Sequence, residues 1–166
     1  FKRVPVLQVD RIVIYETSAI TRYVDEAFDG PPLQPRLPVE RARANQLISI
    51  VDSYAYWPLV RQVFAHGVFA ERLGRSAAMA EVEAGLQAAP RVLAALEGLA
   101  TDRAWLVSDE LSLADIHLAP MMAYFVMHEQ GHACLMRHER LAKWWLSIVA
   151  SPAFVQSAPV LPEAPK

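Results

Sequence analysis

Two short groups of residues near the beginning of the chain have the chemistry to hold a charged ligand. Glu16, Thr17 and Ser18 stand where a helical pattern begins. Free backbone amides and the positive end of the helix dipole attract a carboxylate there, while the Glu16 side chain could accept an ammonium group. Ordinary N-capping explains Thr17 and Ser18 equally well. In Val4-Pro5, a proline inside a strand-like run indicates either an edge position or a cis peptide at a turn.

A third group, His128-Glu129-Gln130-Gly131-His132, has the H-E-x-x-H spacing of zinc proteases. In that motif two imidazoles one helical turn apart bind the metal, and the glutamate is the general base. His138 even lies where a third ligand would fall. However, Gly131 disfavours a helix and sits where the preceding helical pattern ends, and Leu135 replaces a turn-forming glycine. We therefore predict no metal site and keep the zinc protease as a remote alternative.

The segment around the first two groups is predicted to fold as β-β-α. Val4–Val9 and Ile12–Tyr15 are β-branched and apolar, and Asp10-Arg11 separates them at hairpin spacing. From Thr17 onward, apolar residues at helical spacing run as far as Gly30 and the prolines after it. A hairpin with one helix buries little surface, so we expect this unit to complete a larger sheet with residues outside the chain.

The rest of the chain is predicted to be a separate, all-helical domain. A proline-rich linker at 31–38 precedes it, and 39–166 carries only helical periodicity, which makes the whole an α+β protein. The periodic stretches are Val39–Phe69, Ala77–Leu99, Ser112–Met127 and Leu141–Ala150. Pro90 and Pro120 should kink or split two of them, because each removes an amide donor and crowds the preceding turn.

Composition excludes several classes of partner. Hydrophobic residues make up 54% of the 166 residues, and the net charge is −2 without a basic stripe, so we expect neither nucleic acid nor a membrane as partner. The most apolar run, Leu118–Met127, is far shorter than the ~20 residues that span a bilayer and is predicted to be a buried helix. One cysteine, Cys134, and no secretory leader favour a cytoplasmic setting.

Taken together, the order of these features resembles the glutathione S-transferases. The resemblance rests on V-P-V-L at Val4–Leu7, E-T-S-A-I at Glu16–Ile20, a proline-rich linker and L-S-L-A-D-I at Leu111–Ile116. It also includes Trp144-Trp145 and the S-P-A-F string near the end. It implies that 1–30 is the glutathione-binding β-β-α part of a thioredoxin-like domain, and that 39–166 is the family's helical C-terminal domain.

The resemblance also implies a role for individual residues. The valine before a cis-proline pairs through its backbone with the cysteinyl unit of glutathione, and the glutamate and hydroxyl residue hold the γ-glutamyl end. The residues matched to this pattern are Arg3, Val4, Pro5, Glu16 and Thr17. Ser112 and Asp115 match a helix-capping box and are predicted to be structural, with Leu111 and Ile116 as its hydrophobic staple.

Catalysis is expected to depend on a segment upstream of Phe1. In the family this β-α-β-α segment carries the Tyr, Ser or Cys that activates the glutathione thiol, so we assign no catalytic residue here. A hydrophobic electrophile would bind between the domains, near Tyr54, Trp57 and Arg61, which recur at i, i+3 and i+7, with Tyr124 as a weaker candidate. Such aromatic stripes are also common in cores.

The resemblance further implies a homodimer that uses glutathione, without a metal, in detoxification. It also places the H-E-x-x-H stretch in a loop between helices, with surface histidines. The alternative from another functional class is a non-catalytic transferase-like module for protein interaction.

Overall fold

The computed structural model describes residues 1–163, and these begin with an antiparallel hairpin. Strand β1 (Val6–Val9) pairs with β2 (Ile12–Tyr15) in the register Val6 to Tyr15 and Val9 to Ile12. Asp10 and Arg11 form the turn, and Asp10 adopts φ 51°, a region that a short polar side chain tolerates. The predicted hairpin is confirmed, although β1 starts two residues late because Pro5 has no amide to donate to the ladder.

Helix α1 (Thr17–Ala27) follows the hairpin and is tied to the linker by one carboxylate. Asp25 Oδ1 accepts a hydrogen bond from the Leu33 amide at 2.7 Å, and Oδ2 accepts one from Gln34 Nε2 at 3.2 Å. Helix α2 (Pro38–Ile50) begins with a proline at its first turn, where no amide donor is needed.

All remaining elements are helical, which confirms the α+β class. Residues Val51–Phe69, here called the π segment, continue directly from α2 as a π-helix. The other helices are α3 (Ala70–Arg72), α4 (Met79–Leu99), α5 (Leu113–Phe125), α6 (Glu129–Leu135), α7 (Glu139–Ala150) and α8 (Pro152–Ser157). No helix within residues 1–163 is both long and apolar enough to cross a membrane.

The π segment departs from the predicted 3.6-residue winding. Its hydrogen bonds span five residues, as at its end, where the Ala70 amide donates to the Ala65 carbonyl. The buried residues Val51, Ala55, Leu59 and Val63 recur at every fourth position, a spacing that fits a winding wider than an α-helix. A four-residue spacing lies between the windings of an α-helix and a π-helix, so the sequence pattern alone does not distinguish the two.

Pro90 and Pro120 do not split their helices, so the splitting that was one of the two predicted effects is wrong. Helix α4 runs unbroken through Pro90, and α5 runs unbroken through Pro120. Both prolines lie on exposed positions. There the carbonyl one turn earlier, which loses its amide donor, can bond to water instead, so the helix continues.

The core lies between α2, the π segment, α4, α5 and α7. Its fully buried members include Leu47, Leu59, Leu93, Leu118 and Leu141. The predicted burial of Leu118–Met127 holds for Leu118, Ala119, Met122 and Phe125, which are all buried. Gly85 of α4 lets two helices approach closely, since a Cβ there would lie 2.7 Å from the Pro58 carbonyl oxygen of the π segment.

Candidate functional site

The hairpin register brings the residues matched to glutathione binding to one end of the sheet. Val6 lies opposite Tyr15, and such paired residues have Cα atoms roughly 4.5–5.5 Å apart. Val4-Pro5 comes just before Val6, and Glu16-Thr17 comes just after Tyr15. The two motifs, which are eleven residues apart in the chain, are therefore side by side at this end, with Arg3 immediately before them.

Val4 offers its backbone to solvent at this end. The Val4-Pro5 peptide is cis, which is one of the two alternatives that the sequence left open. Val4 is 90% exposed, and its amide and carbonyl form no hydrogen bond within residues 1–163. An extended ligand backbone could pair with these groups as a short added strand.

Glu16 and the start of α1 form the second half of this end. Glu16 is the N-cap residue with φ 71° and ψ 121°, a conformation that costs a non-glycine residue on the order of 1–3 kcal/mol. Its carbonyl accepts hydrogen bonds from Ala19 and Ile20 at 3.0 Å. Within the described chain, the amides of Thr17 and Ser18 and the Glu16 carboxylate have no hydrogen-bond partner.

N-capping therefore does not account for Thr17 and Ser18. Both lie inside α1 rather than at its cap, and no side chain within residues 1–163 caps this helix. Two free amides at the positive end of an eleven-residue helix can bind a carboxylate, and the neighbouring Glu16 can bind an ammonium group. This pairing of charges suits the α-amino-acid end of a small peptide.

The residues predicted to face the electrophile are placed on the surface of the π segment. Tyr54 is 65% exposed, Trp57 is 60% exposed and Arg61 is also exposed, so the alternative that they are core residues is wrong. Because a π-helix has more residues per turn, positions i and i+3 do not share a face as they do in an α-helix. Tyr124 belongs to α5 and stacks on Phe64 with ring centroids 4.4 Å apart.

Ser112 and Asp115 form the predicted capping box of α5, and Asp115 does more than cap. Its Oδ2 accepts hydrogen bonds from the Ser112 amide at 2.8 Å and from the Ser112 hydroxyl at 2.6 Å. Its Oδ1 accepts hydrogen bonds from the Leu106 amide at 2.8 Å and from Trp144 Nε1 at 2.9 Å. Burial raises the pKa of Asp115, and these hydrogen bonds oppose that effect. The carboxylate thus joins α5 to α7 and to the loop before α5.

The H-E-x-x-H stretch has neither the predicted loop structure nor the geometry of a zinc site. Helix α6 covers Glu129–Leu135, so the expectation of a loop is wrong. His128 is the N-cap, in extended backbone, and so does not share a helix face with His132. Gly131 is buried against the Phe125 carbonyl, where a Cβ would clash. Among residues 1–163 no three potential metal ligands form a group.

The histidines of this stretch also differ from the predicted surface residues. His132 is exposed, but His128 is partly buried, and its Nδ1 is buried without a hydrogen-bond partner in the described structure. His138 Nδ1 lies 3.0 Å from the Cys134 carbonyl oxygen, which ties it to the end of α6. These contacts are consistent with a structural role for the motif.

Sequence reasoning missed one polar pair in the helical region. His117 of α5 is 5% exposed, and its Nε2 lies 2.7 Å from Asp52 Oδ1 at the start of the π segment. The two residues are 65 positions apart, and neither belongs to a local motif. Nothing in the sequence could therefore have joined them.

The helical region matches the family model for the glutathione S-transferase C-terminal domain over residues 48–152. The chain belongs to the glutathione S-transferase family. Among its relatives, glutathione S-transferase F13 of Arabidopsis thaliana is 30% identical over 168 residues, covering 99% of this chain and 76% of the relative. The structure of glutathione transferase F7 from Populus trichocarpa superimposes with a TM-score of 0.77 at 22% identity, covering 93% of this chain and 73% of that one, and this shows the shared fold.

One relative of this chain has a name from a different area of biology. FtsZ-localized protein A of Caulobacter vibrioides is 30% identical over 145 residues, covering 86% of this chain and 62% of that protein. The name describes where that protein is found rather than a reaction.

Proposed function

We propose that this glutathione S-transferase holds glutathione at the open end of its hairpin and transfers the glutathione sulfur to a hydrophobic electrophile. The observation that carries the proposal is the β1-β2 register, which sets the Val4 backbone beside Glu16 and the free amides of α1. A peptide backbone, an ammonium group and a carboxylate each find a complementary group there. Glutathione presents all three.

Each group of this end has a proposed partner on glutathione. The Val4 amide and carbonyl, before Pro5, pair with the cysteinyl unit, and Arg3 is a weaker contributor beside them. Glu16 accepts hydrogen bonds from the γ-glutamyl ammonium group. The amides of Thr17 and Ser18, with the Thr17 hydroxyl, donate to the γ-glutamyl carboxylate. Activation of the thiol requires a further donor that lowers its pKa, and we assign no residue to that step.

The electrophile is proposed to bind beside the π segment, near Tyr54, Trp57 and Arg61. Exposed aromatic side chains on a helix supply apolar contact area for such a substrate. Tyr124 is the weakest of the four proposed residues, because its ring is already stacked on Phe64.

The wider organisation is also a proposal. We divide the chain into a thioredoxin-like part at 1–30, a linker at 31–38 and a helical domain at 39–166, and the start of α2 at Pro38 supports the second boundary. We propose a homodimer in the cytoplasm with a role in detoxification. Three apolar hairpin residues, Ile12, Val13 and Tyr15, are exposed. Their exposure supports the proposal that other parts of the assembled protein pack against the hairpin.

Binding of S-hexylglutathione to the protein, measured by calorimetry, tests the glutathione site. We expect Glu16→Ala to weaken binding by about ten- to a hundredfold, since a hydrogen bond to a charged group contributes about 1.5–3 kcal/mol. Glu83→Ala is the matched control, because Glu83 is an exposed residue of α4 without a polar contact in the described structure. Equal affinity of the Glu16 variant and the wild type would show that the site is assigned wrongly.

A second candidate function is supported by the relation to FtsZ-localized protein A. In this alternative the protein is a non-catalytic module that binds another protein. The test is formation of a glutathione conjugate with a chloronitrobenzene electrophile. Turnover that is lost in Glu16→Ala supports the transferase, whereas glutathione binding without turnover on several electrophiles favours the module.

A further inference from the structure

The hydrogen bond between His117 and Asp52 joins α5 to the first turn of the π segment. An ionised aspartate only accepts hydrogen bonds, so His117 Nε2 carries the hydrogen and donates across 2.7 Å. The His117 side chain is 4% exposed, whereas that of Asp52 is 48% exposed. Asp52 could reach water without this bond. The bond therefore is not needed to satisfy a buried carboxylate, and it restricts where the first turn of the π segment lies.

His117 is itself held in a fixed position. It lies two residues after Asp115, whose carboxylate accepts four hydrogen bonds from Leu106, Ser112 and Trp144. These bonds fix the beginning of α5 against α7 and the preceding loop. The imidazole of His117 consequently extends from a rigid part of the helical domain.

Helix α5 also contacts the part of the protein that holds glutathione. The Leu113 amide donates a hydrogen bond to the Leu33 carbonyl of the linker at 2.9 Å. Leu113 and Ile116 of α5 face α1 across a cavity of about 350 Å³, with Ile20 and Val24 on the opposite wall. Helix α5 therefore contacts both α1, whose N-cap is Glu16, and the π segment with Tyr54 and Trp57.

We propose that His117 is a positioning residue for the electrophile half of the site. Through Asp52 it fixes the first turn of the π segment, which carries Tyr54 and leads into Trp57, relative to α1, which α5 also contacts. This inference rests on the proposed function. In this inference His117 does not contact the substrate. The His117–Asp52 bond instead affects how well the apolar group attached to the glutathione sulfur fits against the π segment.

The test compares His117→Phe with His117→Gln. Phenylalanine fills the space of the imidazole without a donor, whereas glutamine keeps an N–H that can reach Asp52. The first readout is the ratio of the affinities for S-hexylglutathione and S-methylglutathione, in which contributions of the shared glutathione portion cancel. The second readout is acrylamide quenching of Trp57 fluorescence, obtained as the difference between each protein and its Trp57→Phe derivative.

We expect His117→Phe to lower the affinity ratio by about three- to tenfold, because small misplacements of binding groups have large effects. The quenching of Trp57 should change in the same variant. His117→Gln should restore both values to within about twofold of the wild type. Leu118→Ala is the matched control: Leu118 is the next residue of α5 and fully buried, so this variant should lose thermal stability but keep the affinity ratio.

The possible outcomes separate this inference from the proposed function. If the wild type does not bind S-methylglutathione, the proposed function is wrong and the inference fails with it. If it binds and His117→Phe leaves the ratio unchanged, only the role of His117 is overturned. A ratio that falls equally in Leu118→Ala would also overturn it, because general loosening of α5 would then explain the effect.

Discussion

The close approach of α4 to the π segment gives a prediction that can be worked from distances. A Cβ on Gly85 would lie 2.7 Å from the Pro58 carbonyl oxygen, 2.8 Å from Gln62 Cβ and 2.8 Å from Val63 Cγ2. All three distances are well inside ordinary van der Waals contact, which begins near 3.4 Å. Two of the three contacts involve a backbone oxygen or a Cβ, which cannot move without the helix. Gly85→Ala must therefore push the two helices apart.

The expected change in the free energy of unfolding of Gly85→Ala follows from two opposing effects. Overpacking of a filled core costs about 1–3 kcal/mol, while alanine gains up to about 1 kcal/mol over glycine in a helix. We expect Gly85→Ala to be destabilised by about 1–2 kcal/mol. For a protein of this size that corresponds to a fall in Tm of about 2–8 °C.

Gly98 provides the control in the same helix. A Cβ on Gly98 would meet no atom of residues 1–163 within 4 Å, so Gly98→Ala gains the helix preference without a clash. It should raise the free energy of unfolding by about 0.4–1 kcal/mol. Urea unfolding of both variants at equal m-value measures the difference. The reasoning is refuted if Gly85→Ala is as stable as Gly98→Ala.

Two further predictions concern carboxylates. Asp115→Ala leaves buried donors, among them Trp144 Nε1, without an acceptor, and each such donor costs about 1–3 kcal/mol. Because the substitution also removes a buried carboxylate, we expect the free energy of unfolding, measured in urea, to fall by about 3–5 kcal/mol in total. Exposed Asp109→Ala should lose almost nothing, and equal losses would contradict the network. The hydrogen bond from Arg140 lowers the pKa of Asp102 below 3.8, so its stabilisation is present above pH 3.8 and lost as the pH falls through the folded pKa. Asp102→Asn should thus be less stable than wild type at pH 7, with urea midpoints that converge in acid; a pH-independent gap would contradict this.

Local patterns explain why the hairpin and the capping box could be predicted. The hairpin depends on two β-branched runs and a two-residue turn, and the capping box depends on Ser112 and Asp115, three positions apart. Each of these features is decided by residues that are neighbours in sequence. The register of the hairpin then brings together the two motifs matched to glutathione binding without any long-range information.

The features that sequence reasoning missed or mistook depend on distant contacts. Gly131 disfavours a helix by itself, yet α6 forms because its absent side chain allows contact with the Phe125 carbonyl. The local pattern predicts the capping role of Asp115. It does not predict the hydrogen bonds of Asp115 to Leu106 and Trp144, which join separate parts of the chain. Packing overrides local preference in the first case and adds partners in the second.

The two halves of the proposed site are encoded differently, and this has a consequence for how substitutions act. Every residue of the glutathione half lies within Arg3–Ser18, and the hairpin alone sets their arrangement. The electrophile half depends on the π segment, whose first turn is held by His117 from α5. Substitutions that remove the His117–Asp52 bond should therefore change the placement of Tyr54 and Trp57 while the β1-β2 register stays the same. It follows that selectivity for the electrophile should vary more readily than affinity for glutathione when the helical domain changes.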